Sequence, residues 1–333
     1  FMYHVGIDTS CYTTSIAVLD MNGRLVLDAR TLLQVKEGTR GLRQSEGLFQ
    51  HIVNLEEMAA QLSFTRGNIK SVTASDKPRN EDGSYMPVFR GGSLAGSFLV
   101  AGSDGELLHL SHQEGHLFSA LWSLREALEI SELDRFMFLH VSGGTSEILM
   151  AERSADPFRY TLTLIGGTSD LNAGQFIDRV GVAAGVPFPC GKKMNEVLLE
   201  CPIQESEQKD IPKLRITIRD GEFSLSGPET QANRLITSGT DPRLVFRSVF
   251  LAVEEALFKG ILYGLEKNPV KTVIVSGGVA ANTFIREGLM KRLTGSKTGK
   301  GITLYFPDIR YASDNAVGPA YFGYLNCRRG ETK

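Results

Sequence analysis

Apolar and polar positions alternate through "YHVGIDTSCYTTSIAVLD" in a way that predicts a strand at Val5–Ile7, a polar turn from Asp8 to Ser10, and a return strand at Ser15–Leu19. The same pattern comes back at "FMFLHVSGGTSEILMAE", from Phe136 to Glu152, and suggests a duplicated architecture in which each half begins with a hairpin. Between the hairpins, apolar residues at helical spacing predict helices at Ser45–Leu62 and Leu94–Ala101, with strands at Ser71–Ala74 and Leu107–Leu110. The stretch "SDKPRNEDGSYMPVFRGGS" is rich in Pro, Gly and charge and reads as a long loop. After the second hairpin the pattern predicts a helix at Ala173–Ala184, a loop "GVPFPCGKKM" and a helix at Arg243–Leu265. A strand–Gly turn–helix unit, "VKTVIVSGGVAANTFIREGLMKRL", then leads to a strand in "ITLYFP" and a last helix starting near Asp314. Alternating strands and helices without a separating linker predict an α/β chain with mixed sheets.

At 333 residues, two lobes are the expectation. The formal net charge of −2 lacks the basic surplus of a self-sufficient nucleic-acid binder, so such a contact would rest on a local patch or on partner subunits. Cys11, Cys190, Cys201 and Cys327 are scattered without a C-x-x-C and read as free thiols in a reducing compartment. With no run of eighteen apolar residues and no charged-then-apolar leader, the expectation is a cytoplasmic protein without a membrane segment.

The segment "HLSHQEGHLFSALW" sets His112 and His116 four residues apart, on one face of the predicted helix, where both imidazoles can reach one ion. A zinc peptidase of the H-E-x-x-H type needs its Glu directly after the first His, and that position is Gln113. Glu114 lies about 200° around the helix from His112 and faces away. A metal pair and a merely packed or solvated pair are the two remaining readings. His140, at a strand end, and Asp314, otherwise a helix N-cap, extend the candidate set to three His and one Asp, which suits Zn or Fe.

Gly-rich turns form the second constellation. "SGGTS" (Ser142, Gly143, Gly144, Thr145, Ser146) and "SGGVAAN" (Ser276 to Asn282, with Gly277 and Gly278) each follow an apolar strand, and glycines there let backbone N–H groups approach phosphate or sugar. With the N-terminal "DTSCYTTS" they point to a nucleotide site; no G-x-x-x-x-G-K-[ST] is present, so it is not a P-loop. Asp178 is placed to hold a ribose hydroxyl, or is a solvated helix carboxylate.

In this order, "GIDTSC", "SHQEGHLFSAL", "VSGGTSEI", "NAGQFIDRVG", "FSLSG", "VSGGVAAN" and "SDNA" resemble the TsaD (Gcp) family of tRNA threonylcarbamoyladenosine transferases over almost the whole chain. The resemblance implies a two-lobed actin-like ATPase (ASKHA) fold, with ribonuclease H-like lobes, mixed sheets and a cleft between them. Lobe I would be 1–133 plus 313–333, and lobe II, the nucleotide-binding one, 134–312. It further implies an acyltransferase that moves a threonylcarbamoyl group from threonylcarbamoyl-AMP to N6 of adenosine 37 in tRNA. His112, His116 and Asp314 would bind one divalent metal, Fe or Zn. His140 matches a position where archaeal and eukaryotic relatives place a metal-binding Tyr. Asp178, Gly191 and Asn282 would hold adenosine, with phosphates, and Mg where ATP or ADP is bound, near Ser10, Ser142, Gly143 and Gly144. Asp8, Ser10 and Cys11 would form the catalytic turn. Partners would be tRNA, reached through a complex, and TsaB- and TsaE-like proteins; a dimer is a further expected assembly.

Departures from the family pattern fall near the reacting group: Tyr12 and Thr13 for an acidic pair, Thr145 for His, Gln175 for Glu, Arg179 for Lys, "FPCGKK" for Y-P-G-G-P, and Glu229 for Lys. They mark a diverged paralogue. They leave open a carbamoyl-type transferase or ATPase on another acceptor, and a non-catalytic nucleotide-binding regulatory subunit.

Overall fold

A computed structural model of the chain describes residues 2–10, 12–35, 42–155 and 158–328. The chain divides into two compact units, one of residues 1–132, 153–160 and 310–333, the other of 133–152 and 161–309.

The first unit opens with β1 (Tyr3–Ser10), β2 (Thr13–Asp20) and β3 (Leu25–Leu32), an antiparallel meander. Then come α1 (Gln44–Ala59), β4 (Ile69–Lys77), α2 (Phe89–Ala101), β5 (Glu106–Ser111) and α3 (His112–Ser123). β4 pairs parallel to β1 and β5 parallel to β4, giving the order β3-β2-β1-β4-β5. Val5, Ile7, Ile16, Val18 and Val72 fill its core against Met58 and Leu62.

The second unit holds β6 (Arg135–Val141), β7 (Ser146–Arg153), β8 (Tyr160–Thr168), α4 (Ala173–Ala183), α5 (Cys190–Glu200), β9 (Thr217–Arg219) and β10 (Glu222–Ser224). It continues through α6 (Ser226–Thr237), α7 (Pro242–Lys267), β11 (Thr272–Ser276), α8 (Thr283–Gly295) and β12 (Thr303–Tyr305). Its sheet runs β12-β11-β6-β7-β8-β10-β9, so the order of the first sheet is repeated and extended by two short strands. Leu139, Val141 and Val275 of the sheet pack with Phe176, Phe250 and Val253 of the helices. The chain then returns to the first unit as α9 (Val317–Cys327).

Three sequence expectations change. The expected polar turn at Asp8–Ser10 is strand: β1 runs to Ser10, and Asp8, Thr9 and Ser10 pair with Ser15, Thr14 and Thr13. These side chains are buried yet partnered, for instance Thr9 Oγ1, which donates to the Val88 carbonyl and accepts from Gly92 N–H. The expected loop before Leu94 contains the first turn of α2. Gly92 faces the sheet, where a Cβ would come within 3.0 Å of Thr9 Oγ1, while Gly91 faces Leu48, His51 and Leu55 of α1. A helical Gly costs about 1 kcal/mol against Ala, and close packing on β1 offsets it. The expected loop "GVPFPCGKKM" ends inside α5, whose buried face is only Cys190, Met194 and Leu198, a stripe at i, i+4, i+8 that flanking Pro and Gly conceal.

One buried titratable group gives a stability prediction. His4 is 3% exposed and its Nδ1 lies 2.8 Å from Ser71 Oγ. Burial, and then the Lys70 charge, push its pKa down to about 4. The unfolded chain therefore takes up a proton near pH 6.5 that the folded chain refuses until about pH 4, so stability falls as pH drops through that window. Urea unfolding at pH 7 and pH 4.5 should show a smaller acid loss in His4→Gln than in the parent; equal losses would assign the acid sensitivity elsewhere.

Candidate functional site

β5 leads directly into α3, and Ser111 at the junction forms a capping box. Its Oγ accepts from Glu114 N–H, while Glu114 Oε2 accepts from Ser111 N–H at 2.7 Å. Glu114 thus folds back on the helix start, with Arg159 3.6 Å away, instead of facing the histidines. This cap starts the helix at His112 and sets His112 and His116 one turn apart.

Their Nε2 atoms lie 3.0 Å from each other, and Asp314 Oδ1 stands 3.4 Å and 3.3 Å from them. Asp314 does not cap α9. The N-cap position of that helix is Ala316, and the neighbouring Asn315 braces the turn before it: Asn315 Oδ1 accepts from Val317 N–H and Ser119 Oγ–H, and its amide donates to the Tyr311 and Ser313 carbonyls. That brace holds the turn from which Asp314 projects. Asp8, fully buried on β1, accepts from His112 Nδ1–H at 2.9 Å and from Ser10 N–H. Ser10 Oγ–H in turn reaches Asp314 Oδ2 at 3.3 Å. Cys11 lies outside the described residues.

The charges are strongly coupled. Burial opposes ionisation of Asp8 and Asp314, yet His112 holds Asp8 below the ordinary carboxylate value, and His112 with His116 holds Asp314 well below it. Burial likewise opposes the His112 cation, but Asp8 and Asp314 raise its pKa well above the usual histidine value. With Nδ1–H committed to Asp8, the neutral form of His112 would present an Nε2 lone pair to the same point as His116 Nε2 and Asp314 Oδ1. Among the described residues this is the group of three whose donor atoms all fall within 4.8 Å. Two imidazole nitrogens and a carboxylate oxygen fit a divalent transition ion, and Asp8 is placed as the carboxylate behind a ligating histidine. Proton and metal would compete for His112. His140 belongs to the second unit, where it is buried on β6 beside Phe138 and opposite Glu147.

The second unit has its own cavity of about 360 Å³, lined by Gly143, Gly174, Asp178, Gly191, Gly278 and Asn282 among others. Apolar walls come from Ile177, Val279 and Ile309. The Ser142–Thr145 turn is closed by Ser142 Oγ, which accepts from the Gly144 and Thr145 N–H groups. Only Gly143 of that turn lines the cavity; Ser142, Gly144 and Thr145 do not. Gly277 also stays outside: its φ is +104° and a Cβ would overlap the Val141 carbonyl, so it sets the path of the turn while Gly278 reaches the cavity. Asp178 accepts from Cys190 N–H at 2.7 Å, and burial raises its pKa despite the Cys190 and Gly191 N–H groups. Asn282 caps α8 through Oδ1, which accepts from Ile285 N–H, and its buried Nδ2 has no partner within the protein. That orphan donor on a cavity wall is suited to a ligand acceptor.

Sequence reading missed two positioning residues. Asn195 lines the cavity and receives Thr283 N–H and Oγ–H; its position was assigned beyond a loop, and no spacing marks it. Asp170 accepts from Ser224 Oγ–H and Leu225 N–H, tying the "FSLSG" stretch to the start of α4.

The family model described as tRNA N6-adenosine threonylcarbamoyltransferase (TsaD) matches residues 50–321. Curated relatives of that name include one from Lactococcus lactis subsp. cremoris, 26% identical over 98% of this chain and 93% of its own length. Another, from Streptococcus pneumoniae, is 29% identical over 96% and 90%. Among solved structures, component A of the (R)-2-hydroxyglutaryl-CoA dehydratase of Acidaminococcus fermentans superposes with a TM-score of 0.53 at 15% identity, over 98% of this chain and 99% of that one. A ROK family glucokinase from Streptomyces griseus, solved with glucose and AMPPNP, gives 0.52 at 10% identity, over 98% and 100%. These distant likenesses concern the fold alone.

Proposed function

This chain belongs to the TsaD family of tRNA N6-adenosine threonylcarbamoyltransferases and has an actin-like (ASKHA) fold; from that premise we propose that it transfers a threonylcarbamoyl group from threonylcarbamoyl-AMP to N6 of adenosine 37 in tRNA. The observation that carries the proposal is the convergence of His112 Nε2, His116 Nε2 and Asp314 Oδ1 on one point, with Asp8 behind His112. These three residues would hold one Fe or Zn ion. When bound, a divalent ion supplies Lewis acidity toward an acyl or phosphoryl oxygen.

The protein's own groups do the rest. Asp8 keeps the His112 proton on Nδ1 and orients the ring. Ser10 Oγ–H steadies Asp314. In the second unit Asn282 Nδ2 would donate to the adenine and Asp178 accept a ribose hydroxyl. The glycines at 143, 174 and 278 leave room for the nucleotide at the cavity wall. Docking of a TsaB-like partner is supported by Phe49, Ile52 and Val53 of α1 and Leu94 and Phe98 of α2, large apolar side chains left exposed on two helices. Among the described residues no helix is long and apolar enough to cross a membrane.

A second reading, transfer to another acceptor, is favoured by one observation. Arg179 pairs with Glu229 at 3.4 Å, at the two positions where the family carries lysines, so a cationic site has become a neutralised pair. Incubation of the purified chain with TsaB- and TsaE-type partners, threonylcarbamoyl-AMP and tRNA, followed by nucleoside mass spectrometry, should show threonylcarbamoyladenosine. Its absence, with threonylcarbamoyl-AMP still consumed, would move the assignment to the second reading.

A further inference from the structure

Far along the second unit from the residues discussed so far, α7 carries a charged cluster that the proposed chemistry does not use. Glu254 is 3% exposed and receives Arg292 Nε–H from α8, while Arg247 Nη1 stands 3.9 Å from its other oxygen. α8 sits so close that a Cβ on Gly288 would overlap the Glu254 carboxylate. At 3.9 Å the Arg247–Glu254 pair attracts without a hydrogen bond, and both Arg247 Nη1 and Glu254 Oε2 are buried with no hydrogen-bond partner. Two guanidinium groups therefore share one carboxylate.

Beside them opens a cavity of about 450 Å³ between α7 and residues 208–214, a segment pinned by Ser248 Oγ–H on the Pro212 carbonyl. Arg247 of α7, Arg292 of α8 and Lys213 of the facing segment line it; Ile211, Leu214 and Leu251 supply apolar wall. Glu255 is also at the wall, but Lys259 holds its carboxylate at 2.7 Å. Arg247, Arg292, Lys213 and Lys259 thus face Glu254 and Glu255, and two positive charges are left over. Burial lowers the Arg247 pKa, Glu254 supports the cation, and the like charge of Arg292 opposes it.

We propose that this cavity binds a phosphomonoester with a small, partly apolar body, its phosphate taken by Arg247, Arg292 and Lys213. A phosphomonoester is close to dianionic at neutral pH and matches the two surplus charges, and its oxygens suit charge-assisted hydrogen bonds from guanidinium and ammonium groups. The volume exceeds what bare phosphate fills, and the leucines call for an apolar group beside it.

Calorimetric titration of the full chain with phenyl phosphate and with inorganic phosphate, at matched ionic strength, tests this. Phenyl phosphate should bind several-fold tighter than inorganic phosphate. Arg247→Gln should weaken it by about tenfold or more, as loss of a hydrogen bond to a charged group does. Lys213→Gln, at an exposed position, should weaken it a few-fold, and Lys300→Gln, exposed and outside the cavity lining, should not change it. No binding to the parent at millimolar phenyl phosphate, or equal affinity in the parent and Lys213→Gln with Arg247→Gln also unchanged, would overturn the proposal.

Discussion

His116→Ala should abolish divalent-metal binding at the proposed site and, with it, the proposed tRNA modification. His116 is 6% exposed and its Nε2 is one of three donor atoms converging on a single point, so alanine leaves two ligands and a hole. Loss of a carboxylate behind a ligating histidine typically costs 10–100-fold in metal affinity; loss of the ligand itself should exceed about 100-fold. Asp8→Asn gives the graded companion. Asparagine keeps the shape but weakens the acceptor for His112 Nδ1–H, and an intermediate loss within that 10–100-fold range is expected. Elemental analysis of protein purified without chelator, beside equilibrium competition with a chromophoric chelator, reads both. Metal content in His116→Ala equal to the parent would remove the site, whatever the activity.

The second large effect concerns packing, and it reaches the same site from behind. Gly318 on α9 lies against Gly115 on α3, and a Cβ there would overlap the Gly115 carbonyl oxygen and crowd Ser119. Both obstacles include backbone, which cannot swing aside as a side-chain tip can. Gly318→Ala is therefore expected to cost at least about 3 kcal/mol, at the upper end of overpacking penalties. At 2–4 °C per kcal/mol for a unit of this size, the melting temperature should fall by roughly 10 °C. Asp314 lies four residues before Gly318, in the bend that leads into α9, and the Gly318 N–H donates to Ser119 Oγ, which braces Asn315. Displacing α9 from α3 should then loosen the metal as well. Gly295→Ala, where a Cβ meets open space, is the matched control and should leave melting within about 2 °C. A Gly318→Ala protein that melts with the parent and keeps its metal would show that the two helices do not set the ligand geometry.

Long elements with clear periodicity were legible. The helices expected at Ser45–Leu62, Ala173–Ala184 and Arg243–Leu265 appear as α1 with its 3-10 extension, α4 and α7, within a few residues at each end. The two hairpins appear as β1–β2 and β6–β7. β3, β8, α6 and the short strands β9 and β10 were not read, because their faces mix exposure without a clean period. The pattern predicts α2 only from Leu94 onward and no part of α5, because the local preferences of Gly and Pro point to loops. In α2 Gly92 serves contact with β1, Gly96 with β4 and β5, and Gly91 with α1, a reason that exists only once those elements are beside them.

For the candidate site the division is sharper. Residue type and spacing along the chain determined that His112 and His116 share a helix face, that Gln113 cannot serve as a zincin base, and that Gly-rich turns end two strands. These follow from helical and strand periods, which are local properties. The tertiary structure alone decided that Asp314 faces those histidines instead of capping α9, that Asp8 stands behind His112, and that Asn282 presents a donor without a protein partner. Each depends on segments distant in sequence approaching within hydrogen-bond or van der Waals distance. Such approaches are set by backbone packing, as at Gly318 against Gly115, and by which buried polar atoms find partners, and neither quantity has a period along the chain.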